Sequence, residues 1–139
     1  MPKLDDIATT LAAVPLFAQL STKERRVVAK ALGVHEVADD VMLVRQGESG
    51  DTFYVLLEGQ AKVVRNGRKI ATLDQGTWFG ELALLDPGRR DATVTARTAM
   101  ELIVLSQWDF EQALEEAPGM TRQLLAGMAR RLRTLDQDG

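Results

Sequence analysis

The sequence has no cysteine. Disulfides, thiolate zinc sites, iron–sulfur clusters and a cysteine nucleophile are therefore excluded. It has one histidine, His35, so no metal site can be built from several imidazoles, as a cupin-type enzyme would need. Little is left for acid–base chemistry near neutral pH, and a single histidine without a nucleophile elbow gives no serine triad. An excess of cations is missing too. Lys and Arg number 17 against 20 Asp and Glu, a formal net charge of −3, so no global basic field gathers nucleic acid or anionic membrane. Apolar runs such as 54–57 fall far short of the ~20 residues that span a bilayer. The start, Met-Pro-Lys-Leu-Asp-Asp, lacks the apolar core of a signal peptide. What is present is 139 residues, 45 % hydrophobic and 27 % charged, the profile of one globular domain. A cytoplasmic binding protein without enzymatic activity is the expectation.

Patterning divides the chain into helical ends (1–33 and 107–139) and a strand-rich middle (34–106). Leu4, Ile7, Ala8, Leu11 and Ala12 recur at helical spacing. Pro15 ends that helix or begins a short turn. Ser21 or Thr22 then reads as the N-cap of a helix through Leu32, with Glu24 at the capping-box distance from Ser21 and Gly33 as the stop. Short β-branched runs follow at roughly 8–12 residue intervals, as in a sandwich or barrel: 34–37, 41–44, 52–57, 61–65, 69–73, 92–97 and 100–105. Asn66-Gly67 supplies the two positive-φ residues of a type I′ hairpin turn. Beyond Trp108, expected to pack the helix it opens, the helical period returns and is broken at Pro118-Gly119. A last helix is expected over about 120–135, with Leu125, Met128, Leu132 and Leu135 spaced 3, 4 and 3 apart as a seam. That seam would face the strand domain, a second subunit, or both in turn. Arg130, Arg131 and Arg133 read as its wet face, and His35 as a structural residue.

One segment, 76–94, carries chemistry. It joins two expected strands but is far longer than a hairpin turn needs. Residues 81–85 favour helix, and Pro87-Gly88 must stop it. A glycine-opened helical turn presents N–H groups to an anion, and Gly80 allows a ligand close to the backbone. A following arginine would pair with the same anion through two N–H groups. Glu81 repels an anion unless it binds a hydroxyl beside it. The ligand expected is one bearing both a phosphate and a sugar hydroxyl.

Phe79-Gly80-Glu81-Leu82-Ala83-Leu84-Leu85, followed by Arg90-Asp91-Ala92-Thr93-Val94, resembles the phosphate-binding cassette of cyclic-nucleotide-binding domains. Bacterial catabolite-activator transcription factors and the regulatory subunits of cyclic-AMP-dependent protein kinase carry such domains. Pro15-Leu16-Phe17, the glycine-framed stretch 47–59 and Met128-Ala129-Arg130-Arg131-Leu132 extend the resemblance over nearly the whole chain. It implies a mainly β fold, an eight-stranded antiparallel jelly roll with N-terminal helices and a C-terminal helical lid. The cassette would span 79–93.

The resemblance also implies roles. Gly80 would lie against the ribose-phosphate. Glu81 would accept from the ribose 2′-hydroxyl, and Leu82 and Ala83 would present backbone N–H groups to the ligand. Arg90, nine positions after Glu81 as in the kinase subunits, would neutralise the cyclic phosphate, and Ala92 would close the loop. Val63, Ile70, Ala71 and Leu73 would line the pocket near sugar and base. Asp91 departs from the family's Ala, Ser or Thr and would weaken an anion by repulsion. Turning to a cation such as Arg89 would offset that; alternatively Asp91 would accept from the edge of a guanine. Leu135 and Asp136 fall where the family meets the base, Asp136 being either a guanine acceptor or a solvated helix end. Cyclic AMP is the default ligand and cyclic GMP the alternative, with no cofactor. The expected outcome is a shift of the C-terminal helix, read by a second copy or a partner protein. The chain stops about where the activators begin their DNA-binding domain, so no direct DNA binding is expected. The other reading is a domain of the same fold that has lost its ligand and serves as a dimerisation or docking module.

Overall fold

Ser21 begins a helix in the manner its spacing predicts. Its Oγ accepts from the Glu24 amide at 3.1 Å, and the Glu24 carboxylate accepts from the Ser21 amide at 2.9 Å. Both partners are orphan donors of a helix start, satisfied reciprocally. The structure, a computed structural model, describes residues 4–138; Met1–Lys3 and Gly139, the outer bounds of the expected helical ends, lie outside the described residues. The described residues gather into two compact units, 4–31 with 108–138, and 32–107.

The first unit is helical. Helix α1 is Leu4–Ala12 and α2 is Thr22–Lys30; α3 is Gln107–Glu116 and α4 is Gly119–Asp138. Helix α1 buries Ile7, Ala8 and Leu11, the apolar face its period marks. Arg26 on α2 pairs with Asp5 on α1 at 2.9 Å. Phe17 and Phe110 meet edge to face, centroids 6.0 Å apart. Gly127 gives Gln19 its place on α4, since a β-carbon there would lie 2.7 Å from Gln19 Cγ. Two expectations are corrected. Helix α2 ends at Lys30 with Ala31 as its right-handed C-cap, and Gly33 opens the first strand rather than stopping the helix. Trp108, expected to pack, is 68 % exposed. Of the expected seam, Leu125, Leu132 and Leu135 stand exposed, while Met120, Leu124 and Gly127 are buried; the packed face of α4 lies one residue away, and the seam is left open to a second subunit.

The second unit holds the strands of the described residues: β1 Gly33–Val37, β2 Met42–Val44, β3 Ser49–Gly50, β4 Thr52–Glu58, β5 Ala61–Arg65, β6 Arg68–Leu73, β7 Trp78–Phe79, β8 Gly88–Arg89, β9 Thr93–Ala96 and β10 Met100–Ser106. They form two four-stranded antiparallel sheets, β1-β10-β4-β7 and β2-β9-β5-β6, and a two-stranded ribbon, β3-β8. The architecture is thus mainly β and antiparallel with flanking helices. Leu56 and Leu102 from one sheet meet Ala61, Val94 and Ala96 from the other in a shared apolar core. Asn66 (φ 52°) and Gly67 (φ 79°) make the tight β5–β6 turn. The two-residue strands β3, β7 and β8 carry no β-branched run, and only their partners define them. Among the described residues, no helix is long and apolar enough to cross a membrane.

Candidate functional site

The site is built on β4. Tyr54 on β4 stacks on Phe79 of β7, with centroids 4.7 Å apart and planes at 16°, and Tyr54 and Phe79 are register partners. That pins the end of β7. The next residue, Gly80, turns the chain through φ +84°, a conformation glycine adopts without steric cost. A four-residue 3-10 helix, Glu81–Leu84, follows, anchored by buried Leu84.

Arg90 reaches back onto this turn from the far end of the loop. Its Nη2 donates to the Thr52 carbonyl at 2.8 Å. A β-carbon on Gly80 would lie 2.7 Å from Nη1, and one on Gly50 would lie 2.0 Å from Nε. The guanidinium therefore occupies a slot that only two glycines leave open. Its main chain is bracketed as well: the Arg90 amide donates to the Glu48 carbonyl, and the Gly47 amide to the Arg90 carbonyl, both at 2.8 Å. Among the described residues, the buried Arg90 Nε has no hydrogen-bond partner. Ser49, Gly50, Asp51, Thr52, Tyr54 and Arg90 contribute to the lining of a small cavity of about 170 Å³. Burial pushes the Tyr54 phenol above its ordinary pKa; the Arg90 charge pulls it back, and Asp51 pushes it up again.

The remaining expected residues are placed as follows. Glu81 is half-buried at the first position of the 3-10 turn. The Ala83 amide donates to the Gly80 carbonyl at 3.1 Å, which closes the turn. Glu81 and Leu82 precede that bond, and their amides lie outside the i→i+3 ladder. Leu82 is 49 % exposed, and Ala92 is buried under the loop. Val63 is half-buried opposite Ala71 and Val94. Leu73 packs on the core, and Ile70 and Ala71 are exposed. Leu135 and Asp136 are exposed on α4, in the helical unit.

Asp91 does not turn to Arg89. Arg89 Nη1 donates to the Gly47 carbonyl, and Asp91 pairs with Arg65 at 3.0 Å. The β5–β6 hairpin brings Arg65 across the loop, a proximity that sequence separation hides. Thr52, Tyr54 and Arg65 also escape a motif-based reading, and Gly50 reads there only as a corner. The one signal for Gly50 is its place in the glycine-framed stretch 47–59. A larger cavity, about 980 Å³, lies in the helical unit beside Asp5, Ser21, Arg26 and Gly119. Its lining mixes charges of both signs around the Asp5–Arg26 pair, so it has no single electrostatic preference. Among the described residues no group of His, Cys, Asp and Glu is placed to hold a metal.

The family model described as "Cyclic nucleotide-binding domain" matches residues 34–117. The chain is similar to a cAMP-dependent protein kinase regulatory subunit of Yarrowia lipolytica, 39 % identical over 106 residues, covering 75 % of this chain and 28 % of that protein. It is also similar to a cGMP-dependent protein kinase of Toxoplasma gondii, 41 % identical over 86 residues, 62 % of this chain and 9 % of that one. The chain thus spans under a third of the length of the curated relatives it matches. Among solved structures, the N-terminal domain of a transcriptional regulator from Streptomyces coelicolor A3(2) superposes with a TM-score of 0.82 at 34 % identity, covering 92 % of this chain and 95 % of that one.

Proposed function

The chain belongs to the cyclic nucleotide-binding domain family, and from that premise we propose that it is a non-catalytic regulatory domain whose ligand is cyclic AMP, with cyclic GMP as the alternative. The carrying observation is Arg90, a cation held between Gly50 and Gly80 with its Nε buried and without a partner among the described residues. Such a group favours an anion strongly, because a charge-assisted contact satisfies a donor that burial otherwise penalises. The cyclic phosphate pairs with Arg90 beside the amides of Glu81 and Leu82. The Glu81 carboxylate accepts from the ribose 2′-hydroxyl. Val63, Ile70, Ala71 and Leu73 line the sugar and base, and Leu135 and Asp136 cover the base.

In this reading the two four-stranded sheets are the walls of an eight-stranded jelly roll, and α3 and α4 form its lid. Nucleotide moves the lid only by its differential affinity for two helix positions. The outcome is a changed contact with a second copy or a partner protein. The domain needs no cofactor, since one arginine, one glutamate and backbone amides supply the recognition. A kinase subunit in one relative and a transcriptional regulator in another leave the attached output open.

Calorimetric titration with cyclic AMP and cyclic GMP tests the reading. Saturable binding is expected, and Arg90→Ala is expected to weaken it about tenfold or more. No heat, together with no rise in melting temperature at millimolar nucleotide, overturns it. The exposed Leu125, Leu132 and Leu135 favour a second reading in that event, a docking module of the same fold.

A further inference from the structure

Asp91 sits beside the phosphate arginine, and its carboxylate is 86 % exposed. Left alone it would place a negative charge next to an anion site. The structure deals with it through the β5–β6 hairpin. Arg65 Nη2 donates to Asp91 Oδ2 at 3.0 Å, and Arg65 Nε donates to the Asp91 carbonyl at 3.2 Å. One guanidinium thus holds both the side chain and the main chain of the residue following Arg90. The next residue of the hairpin is tied down in the same way. The Asn66 amide donates to Gln46 Oε1 at 2.9 Å, and Gln46 Nε2 donates to Asn66 Oδ1 at 2.8 Å. The Gln46 amide in turn donates to Thr93 Oγ1 at 2.9 Å. The following residues, Gly47 and Glu48, bracket the Arg90 main chain. Hairpin tip, segment 46–48 and cassette loop form one connected network.

We propose that Arg65 and Asp91 are a positioning pair, a clasp between the β5–β6 hairpin and the cassette that neutralises Asp91 and holds the Arg90 loop for an anionic ligand. This rests on the reading above of 80–92 as a phosphate site. Two observations carry it beyond an ordinary surface ion pair. The contact is two-point, which fixes the geometry of a guanidinium far better than a single contact. The turn that presents Arg65 is a tight two-residue turn with its own reciprocal tie to Gln46, which couples the hairpin tip to the loop. Exposed pairs add little to global stability. The value of this one is local, and its loss is read at the ligand rather than in the melting curve.

The test is a double-mutant cycle on the whole chain, read by nucleotide affinity. Arg65→Ala uncovers the Asp91 charge and is expected to weaken cyclic nucleotide binding roughly two- to fivefold, the size of an unscreened charge several ångströms from the phosphate. Melting should move by no more than about two degrees. In the Asp91→Ala background the same Arg65→Ala change removes only the arginine's own charge and is expected to cost clearly less, because the side-chain clasp is already broken. Equal losses in both backgrounds overturn the clasp, as does a large fall in melting temperature, which marks a merely structural pair. A second arm needs no ligand: Arg65→Ala is expected to speed amide exchange at Gly47 and Arg90 and leave Leu102 in the core unchanged. Unchanged exchange at Gly47 and Arg90 overturns the clasp whether or not nucleotide binds. A wild-type chain that binds neither nucleotide overturns the functional reading instead, and the exchange arm then decides the clasp by itself.

Discussion

The Arg90 guanidinium lies where a side chain on residue 80 would stand: a β-carbon built on Gly80 would be 2.7 Å from Nη1 and 2.6 Å from the Thr52 carbonyl. The two residues are ten positions apart, yet each requires the other. Gly80 leaves the room, and Arg90 fills it.

Gly80→Ala is therefore expected to carry two penalties, the strain of φ +84° and the displacement of the arginine. Gly76 supplies the control. It has a similar φ, +88°, but open space around it. Gly76→Ala should cost the strain alone, about 1 kcal/mol, and Gly80→Ala about 2–3 kcal/mol. Denaturant melts compare the two, and only Gly80→Ala should weaken nucleotide binding. Equal costs with equal affinities would show that the Arg90 slot is not selective at residue 80.

Tyr54 is the sole tyrosine, so an absorbance titration reads it alone. Its pKa is raised above 10.0, chiefly by burial. The folded state holds the phenolic proton more tightly than the unfolded chain does. Its contribution to stability is then fully present below pH 10 and is lost as pH rises through the folded pKa above that value. Urea midpoints should fall over this window, beyond what other groups explain, and Tyr54→Phe should remove that part of the decline. Because Arg90 pulls the phenol down, Arg90→Ala should move its titration further up. A downward move would contradict the proximity of the two groups.

The capping box at Ser21 is closed from both sides. Ser21→Ala should cost about 1 kcal/mol, a fall of about 3–5 °C in melting temperature. Ligand affinity, measured by the same calorimetric titration, should be unchanged, since the cap lies in the helical unit and the phosphate site is built in the other.

Leu124 and Leu125 are neighbours on α4 with opposite surroundings, 4 % and 67 % exposed. Leu124→Ala should cost about 2–5 kcal/mol. Leu125→Ala should stay within about 0.5 kcal/mol in the isolated chain. Chemical denaturation of both variants checks which face of the helix is packed. A Leu125→Ala loss matching that of Leu124→Ala would mean that the seam Leu125–Leu132–Leu135 is covered in solution.

Local chemistry alone determined much of this protein. The Ser21–Glu24 box, the Asn66-Gly67 turn and the apolar face Ile7–Ala8–Leu11 form from interactions among residues a few positions apart, so their spacing is sufficient to read them. The ordered stretch from Phe79 to Val94 carried its family likeness for the same reason: its glycine, glutamate and arginine lie on one continuous loop. Other features needed the tertiary fold. The strands β3, β7 and β8 are two residues long and exist only through their partners. Gly50 meets Arg90 from 40 positions away, and Arg65 meets Asp91 from 26; sheet pairing creates both contacts. Which face of α4 is packed was also decided there, because a helix with apolar residues on two adjacent faces buries the one its neighbours can reach.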